Sequence, residues 1–258
     1  MTSKTYERLE AQVFPNRDAM GAAAAAFAAG IIADACAKRG EARVIFACAP
    51  SQNEFLAALT SSAHRAAIDW TKVTAFHMDE YVGFTSSRVE SFRHYLRSHL
   101  LQPLTTQPPF HEIRGEAPVL AAECARYTAL LTEKPIDLVC LGIGENGHLA
   151  FNDPPVADFH DREVIKVVPL DESCRKQQVN DGCFPTLDSV PRHALTLTVP
   201  TLFAAQHICA VVPGTRKAEA VRATLLDPIS TACPATILRT HAHAVLHLDV
   251  DSASKLPS

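Results

Sequence analysis

Ile136-Asp137-Leu138-Val139-Cys140-Leu141-Gly142-Ile143-Gly144-Glu145-Asn146-Gly147-His148 is the stretch on which the fold turns. From Ile136 to Ile143 it is a near-continuous apolar run. That pattern suits a central parallel strand covered on both faces, not a half-exposed one. Glycines at 142, 144 and 147 follow, and they let backbone approach a ligand closely. In an open α/β sheet, ligands bind outside the carboxyl ends of such strands.

The flanking sequence extends the pattern in both directions. Upstream, Asn16 caps an Ala-rich helix that runs to about Arg39 and stops at Gly40. Val44 to Cys48 reads as a strand. Ser51-Gln52-Asn53-Glu54 reads as a capping box that opens a helix from Glu54 to Ala63. A strand from Val73 to Met78 delivers Asp79 and Glu80 just past its end. Ser91 to Leu101 and Val119 to Leu131 read as helices. Downstream, strands are expected at Val164–Val168, Leu195–Val199, Ile208–Val212 and Val245–Leu248, with a helix from just after Gly214 to about Leu226. Strand and helix alternate, with no internal repeat and no linker rich in Gly or Ser. The expectation is one doubly wound, mostly parallel α/β domain over residues 1–258, Rossmann-like, with helices on both faces.

Composition agrees and excludes other classes. The chain has 258 residues, 47% of them hydrophobic and 20% charged, which rules out disorder and fibre. Its net charge of −4, with no basic run, argues against nucleic acid or an anionic membrane surface as partner. Met20 to Ile32 is oily but mostly alanine, and charges follow it closely, so no spanning helix is expected. Met1 to Arg8 is polar, and no secretory signal is expected there. The cysteines at 36, 48, 124, 140, 174, 183, 209 and 233 form no C-x-x-C pair. They read as reduced thiols of a cytoplasmic protein.

Three loops should meet at the strand ends, those after Cys48, Met78 and Leu141. Phe76-His77-Met78-Asp79-Glu80-Tyr81-Val82-Gly83 brings two adjacent carboxylates there. One can face a cleft as a general base while the other faces away; alternatively the pair is a solvated acidic turn. Leu141 to Pro154 holds His148, which can carry protons near neutral pH, and Asp153, which could orient it. A histidine after a glycine turn can also be purely structural. Gly142-x-Gly144-x-x-Gly147 mimics a dinucleotide fingerprint, but it lies mid-chain with no acidic residue ending a strand about 20 residues on. Gly214-Thr215-Arg216-Lys217-Ala218 opens a helix after an apolar strand. Its backbone N–H groups and Lys217 suit a phosphate, and Arg175 could add a bidentate grip. The plain alternative is a helix start with an exposed lysine. His241, His243 and His247 have no acidic or Cys partner at ligand spacing, so no metal is expected there.

Together these segments resemble the glucosamine-6-phosphate deaminase (isomerase) family, related to the 6-phosphogluconolactonases. Phe76 to Gly83 looks like its F-N-x-D-E-Y-V-G. Leu141 to Pro154 looks like G-x-G-x-[DN]-G-H-x-A-F-N-E-P. Asp171 to Phe184 is similar to its D-x-x-T-R segment, and Gly214 to Ala218 to its G-x-x-K-A. The lactonases carry D-E-R where this chain has Asp79-Glu80-Tyr81, and a S-L-F-P-like run where it has Ala150 to Pro154. Both differences favour the deaminase side.

The resemblance implies conversion of glucosamine 6-phosphate and water to fructose 6-phosphate and ammonia, with no cofactor and no metal. It implies ring opening by His148, C2-to-C1 proton transfer by Asp79, and support from Asn146 and Asp153. Ser51, Gln52, Glu80, Gly144, Gly147, Arg175 and Lys217 would bind the sugar phosphate. A homo-oligomer is compatible with it. Four positions depart from the pattern: Asn146 where many members have Asp, Asp153 for Glu, His77 for Asn, and Ala49 for a glycine of the first phosphate loop. They leave open a different amino-sugar phosphate such as galactosamine 6-phosphate, a lactone hydrolase, or a sugar-phosphate sensor with weak turnover.

Overall fold

In the computed structural model, which describes residues 1–257, the strands in chain order are β1 (Thr2–Tyr6), β2 (Leu9–Phe14), β3 (Ala42–Phe46), β4 (Val73–His77), β5 (Asp79–Tyr81), β6 (Phe110–His111), β7 (Leu138–Leu141), β8 (Ile165–Pro169), β9 (His193–Leu197), β10 (His207–Val212) and β11 (Ala244–Asp249). The apolar run after Ile136 condenses into β7, whose residues are all buried. It lies inside an eight-stranded sheet of order β1-β2-β11-β10-β7-β3-β4-β6. Every pairing in that sheet is parallel except β1 with β2. The chain runs outward from β3 through β4 to β6, returns to β7 on the other side of β3, and continues through β10 and β11. The direction reverses between β3 and β7, so the crevice at their carboxyl ends is where an open sheet takes its ligand.

Each face of the sheet has its own apolar core. On one, Met20, Ala24, Ala28 and Ile32 of the helix Arg17–Arg39 pack with Val44, Phe46 and Cys140. Asn16 caps this helix by accepting from the Ala19 N–H at 2.8 Å, and Gly40 ends it at φ +79. The small residues let a second helix cross closely: a methyl group at Gly21 would stand 2.7 Å from the Glu54 backbone. Helix Arg17–Arg39 is long and apolar enough to cross a membrane by length and composition. Its buried side nevertheless packs against β10 and β11, the arrangement of a core helix. On the other face, Tyr127 and Leu131 of helix Leu120–Thr132 and Val221 and Leu225 of helix Ala218–Leu226 pack with Ile45, Val139 and Leu141.

Four features differ from the sequence reading. The capping box does not form. Pro50–Gln52 is a 3-10 turn, the next helix is Asn53–Leu59, and Glu54 instead pairs with Arg17 at 2.8 Å. The strands expected from Val164 and Leu195 do not join the main sheet; β5, β9 and β8 make a separate antiparallel sheet. An apolar run looks alike in either setting, and the second of these strands ends early because Pro200 starts a helix at Val199. The polar residues Thr2–Tyr6 form an edge hairpin strand. Glu172–Asn180, between two expected strands, is a helix capped by Asp171, which accepts from the Ser173 N–H.

Candidate active site

Asp79 begins β5, and its register partner is Thr196 of β9. The Thr196 hydroxyl accepts from the Phe151 N–H at 3.0 Å, and Asn152 Nδ2 donates to the Leu149 and Leu197 carbonyls at 2.8 Å. The small sheet therefore ties the Asp79 strand to the loop that carries His148. Ala150 turns that loop at φ +51, a left-handed conformation that a residue with a Cβ seldom adopts.

Asp79, His148, Ser51, Gln52, Gly144 and Lys217 all line one cavity of about 70 Å³, between the ends of β3, β4 and β7. A second cavity of about 280 Å³ adjoins it, sharing Ser51 and Lys217 and adding Arg17, Gly214, Thr215 and Arg216. The second holds cationic and hydroxyl groups that suit a phosphate, beside the Asp181 carboxylate, which pairs with Arg216 at 2.9 Å.

The electrostatics of the site follow from burial. Asp79 is 7% exposed; burial first, and the nearby Glu80 carboxyl second, push its pKa well up. His148 Nδ1 lies 2.9 Å from Asp153 Oδ1. Asn146 Nδ2 donates to the same oxygen at 2.8 Å, while its Oδ1 accepts from the His148 N–H at 3.1 Å. Burial alone would raise Asp153, but the hydrogen bond and charge of His148 and the Asn146 amide outweigh it and hold the carboxyl below its ordinary value. Gly144 packs flat against the imidazole, where any side chain would overlap the ring. Gly147, at φ +83, lets the loop pass Cys233 and lies outside the cavity lining. Burial also lowers the Lys217 ammonium, partly offset by Asp181 and Glu145.

Two residues read as substrate-binding point elsewhere. Adjacent residues on a strand face opposite sides, so Glu80 turns away from Asp79. It accepts from Ser91 Oγ at 2.6 Å and Arg93 Nε at 3.1 Å, in a pair that is 0% and 2% exposed. Arg175 spends its Nη2 on the Leu187 and Val190 carbonyls at 2.6 and 3.1 Å, and it lines neither cavity. The three histidines near the C-terminus do not converge. His241 faces the Ala205 carbonyl, His247 faces Ala210 and Cys209, and His243 uses its backbone N–H on His241.

Two departures become intelligible. Ala49 is extended, with φ −151, so the glycine is not needed there. His77 is fully buried and its Nε2 accepts from the Ile113 N–H at 2.7 Å. Burial, then the Arg93 charge, lower its pKa to about 3, so it is a neutral acceptor within the scaffold. Sequence reasoning missed Gln177 and Gln178, which line the cavity from helix Glu172–Asn180. Gln177 Oε1 accepts from the Glu145 N–H at 2.8 Å, and Gln178 Oε1 from the Tyr81 hydroxyl at 2.9 Å. The Asp171 cap two residues ahead of Ser173 is the signal that could have found this helix.

Residues 15–247 match the model of the glucosamine-6-phosphate isomerases/6-phosphogluconolactonase family. The chain belongs to that family. A glucosamine-6-phosphate deaminase of Listeria welshimeri is 36% identical over 189 residues, 73% of this chain and 78% of that one. Glucosamine-6-phosphate deaminase 2 of Bacillus subtilis is 37% identical over 204 residues, 78% of this chain and 80% of that one. A solved structure, described as a monomeric glucosamine-6-phosphate deaminase, superposes with a TM-score of 0.86 at 30% identity, covering 95% of this chain and 98% of its own. The matched residues run from helix Arg17–Arg39 into β11 and include every loop of the site.

Proposed function

We propose that this chain is a cytoplasmic glucosamine-6-phosphate deaminase, converting glucosamine 6-phosphate and water to fructose 6-phosphate and ammonia. The observation that carries the reading is that Asp79 and His148 face one cavity whose shared wall with the next is Ser51 and Lys217. A sugar 6-phosphate fits that order, with the phosphate by Lys217 and the reacting C1 and C2 by the two proton carriers. All of these groups come from a single chain.

The chemistry then divides between residues. His148 takes the C1 hydroxyl proton and returns it to the ring oxygen, opening the ring to an aldehyde. The Asp79 carboxylate takes the C2 proton and delivers it to C1. The aldehyde oxygen takes up a proton that the amine nitrogen gives up, which leaves a C1 hydroxyl and an imine at C2. Water attacks the imine, the C2 carbonyl forms, and ammonia departs. A carboxyl whose pKa is raised by burial is a stronger base than an exposed one, as this transfer needs. The phosphate contacts position the reacting carbons, which is worth several kcal/mol of barrier in the best cases, roughly 7–11. Ketose-phosphate detection with glucosamine 6-phosphate and galactosamine 6-phosphate, beside acid release from 6-phosphogluconolactone, tests the reading. Turnover of the first is expected. Hydrolysis of the lactone alone, or phosphate-sugar binding with no product, would overturn it.

A further inference from the structure

Behind His148 and Asp153 lies a thiol, Cys174, that the deamination does not use. A ring nitrogen of His148, a carboxylate oxygen of Asp153 and the Cys174 sulfur all lie within 4.8 Å of one another. The three residues are 7%, 1% and 1% exposed. Within this cluster, His148 Nδ1 meets Asp153 Oδ1 at 2.9 Å, the Cys174 thiol hydrogen-bonds the Asp153 carboxylate, and Asp153 Oδ2 has no nitrogen or oxygen donor. Buried polar atoms of this kind are costly to leave unpaired. Imidazole, carboxylate and thiol together are the donor set of zinc.

We propose that His148, Asp153 and Cys174 form an inhibitory site for a thiophilic divalent cation of the Zn²⁺ class. Zinc–ligand bonds of about 2.0–2.3 Å place tetrahedral donors roughly 3.3–3.8 Å apart, so closure needs side-chain shifts of about 1 Å. The ion enters through the cavity that His148 lines. On binding, the Cys174 S–H bond breaks, the sulfur keeps the electron pair and binds the metal, and the proton leaves to solvent. Nothing is oxidised or reduced. The metal then occupies the histidine nitrogen that Asp153 otherwise faces. The imidazole can no longer become a cation there, and its proton carriage stops. Asn146 still donates to Asp153 Oδ1, and the Cys174 S–H that hydrogen-bonds the carboxylate gives way to the metal. Cys174 stands at the Thr position of the D-x-x-T-R pattern, so a threonine there should abolish the sulfur ligand and keep the packing.

The test uses the whole chain and the metal alone. Co²⁺ titrated into wild-type protein without substrate should give a thiolate-to-cobalt charge-transfer band that saturates at one equivalent. Cys174→Ser and Cys174→Thr should lose it. A persisting band in folded variants, or no band in the wild type, overturns the proposal. Micromolar Zn²⁺ should inhibit ammonia release by the wild type, with recovery on chelation. In Cys174→Thr, basal turnover should persist and the Zn²⁺ inhibition constant should rise by at least about 10-fold. Equal inhibition of both proteins would overturn the proposal. Should both variants fail to fold, zinc-edge anomalous scattering from Zn²⁺-soaked wild-type crystals decides. A peak among the three side chains supports the site, and peaks only elsewhere refute it. The cobalt and anomalous readouts need no turnover, so they stand apart from the proposed deaminase activity.

Discussion

Nδ1 of His148 lies 2.9 Å from Oδ1 of Asp153, and that contact fixes which histidine nitrogen serves the cavity. With Nδ1 committed to the carboxylate, Nε2 is the nitrogen left for substrate. Asn146 holds both ends of the contact, donating to the carboxylate and accepting from the His148 backbone. The shorter aspartate therefore reaches the ring in this chain. We expect Asp153→Asn to lower kcat by about 100-fold through misorientation of the ring, with a smaller effect on KM. Steady-state ammonia release checks this, and an unchanged kcat would remove Asp153 from the relay.

Asp79→Asn should abolish C2 proton transfer, lowering kcat on the order of 1,000-fold or more, while phosphate binding persists. The same variant should be more stable than the wild type at neutral pH. A carboxyl whose folded pKa is raised favours folding in its protonated form, and that contribution is lost as pH rises through the folded pKa. The neutral amide keeps it. Thermal melts should therefore separate the two proteins at pH 7 and bring them together below the ordinary carboxylate range. Equal melting at both pH values would contradict the burial account.

The acid limb of kcat/KM carries the same sign. Asp79 must be ionised to act as base, so activity should fall as pH drops through a value above the ordinary carboxylate range. A limb at the ordinary aspartate position would mean that an exposed group is the base.

Loss of the Lys217 amine should act mainly on binding. A charged hydrogen bond contributes about 1.5–3 kcal/mol, so Lys217→Ala should raise KM by roughly 10–100-fold. Inorganic phosphate should compete with substrate in the wild type and compete less well in the variant. An unchanged KM would take Lys217 out of the phosphate site.

Arg93 supports the site from beneath without touching it. Its partner Glu80 is fully buried, so Arg93→Ala leaves a carboxylate with its charge uncompensated. We expect a loss of about 3–5 kcal/mol of stability, read by denaturant titration. A change under about 1 kcal/mol would mean that Ser91 and the backbone N–H groups suffice for Glu80.

The parallel framework and the residues at its strand ends were legible because they obey local rules. The apolar run at 136–143, the Asn16 and Gly40 caps and the glycines after Leu141 each announce one conformation. Partner choice was less visible. Nothing local in Leu195 to Leu197 says that β9 pairs antiparallel with β5 and not inside the main sheet. Side-chain direction was hidden for the same reason. Arg175 has the right neighbours in sequence, yet the backbone carbonyls of Leu187 and Val190 take its guanidinium. His77 looked like a departure at the site, and only the tertiary fold shows it accepting from Ile113.

The most direct measurement is ammonia release from glucosamine 6-phosphate by the purified chain, with Asp79→Asn alongside. The account predicts one ammonia per fructose 6-phosphate formed by the wild type and almost none by the variant. No ammonia from folded wild-type protein, or equal rates from both, would contradict it.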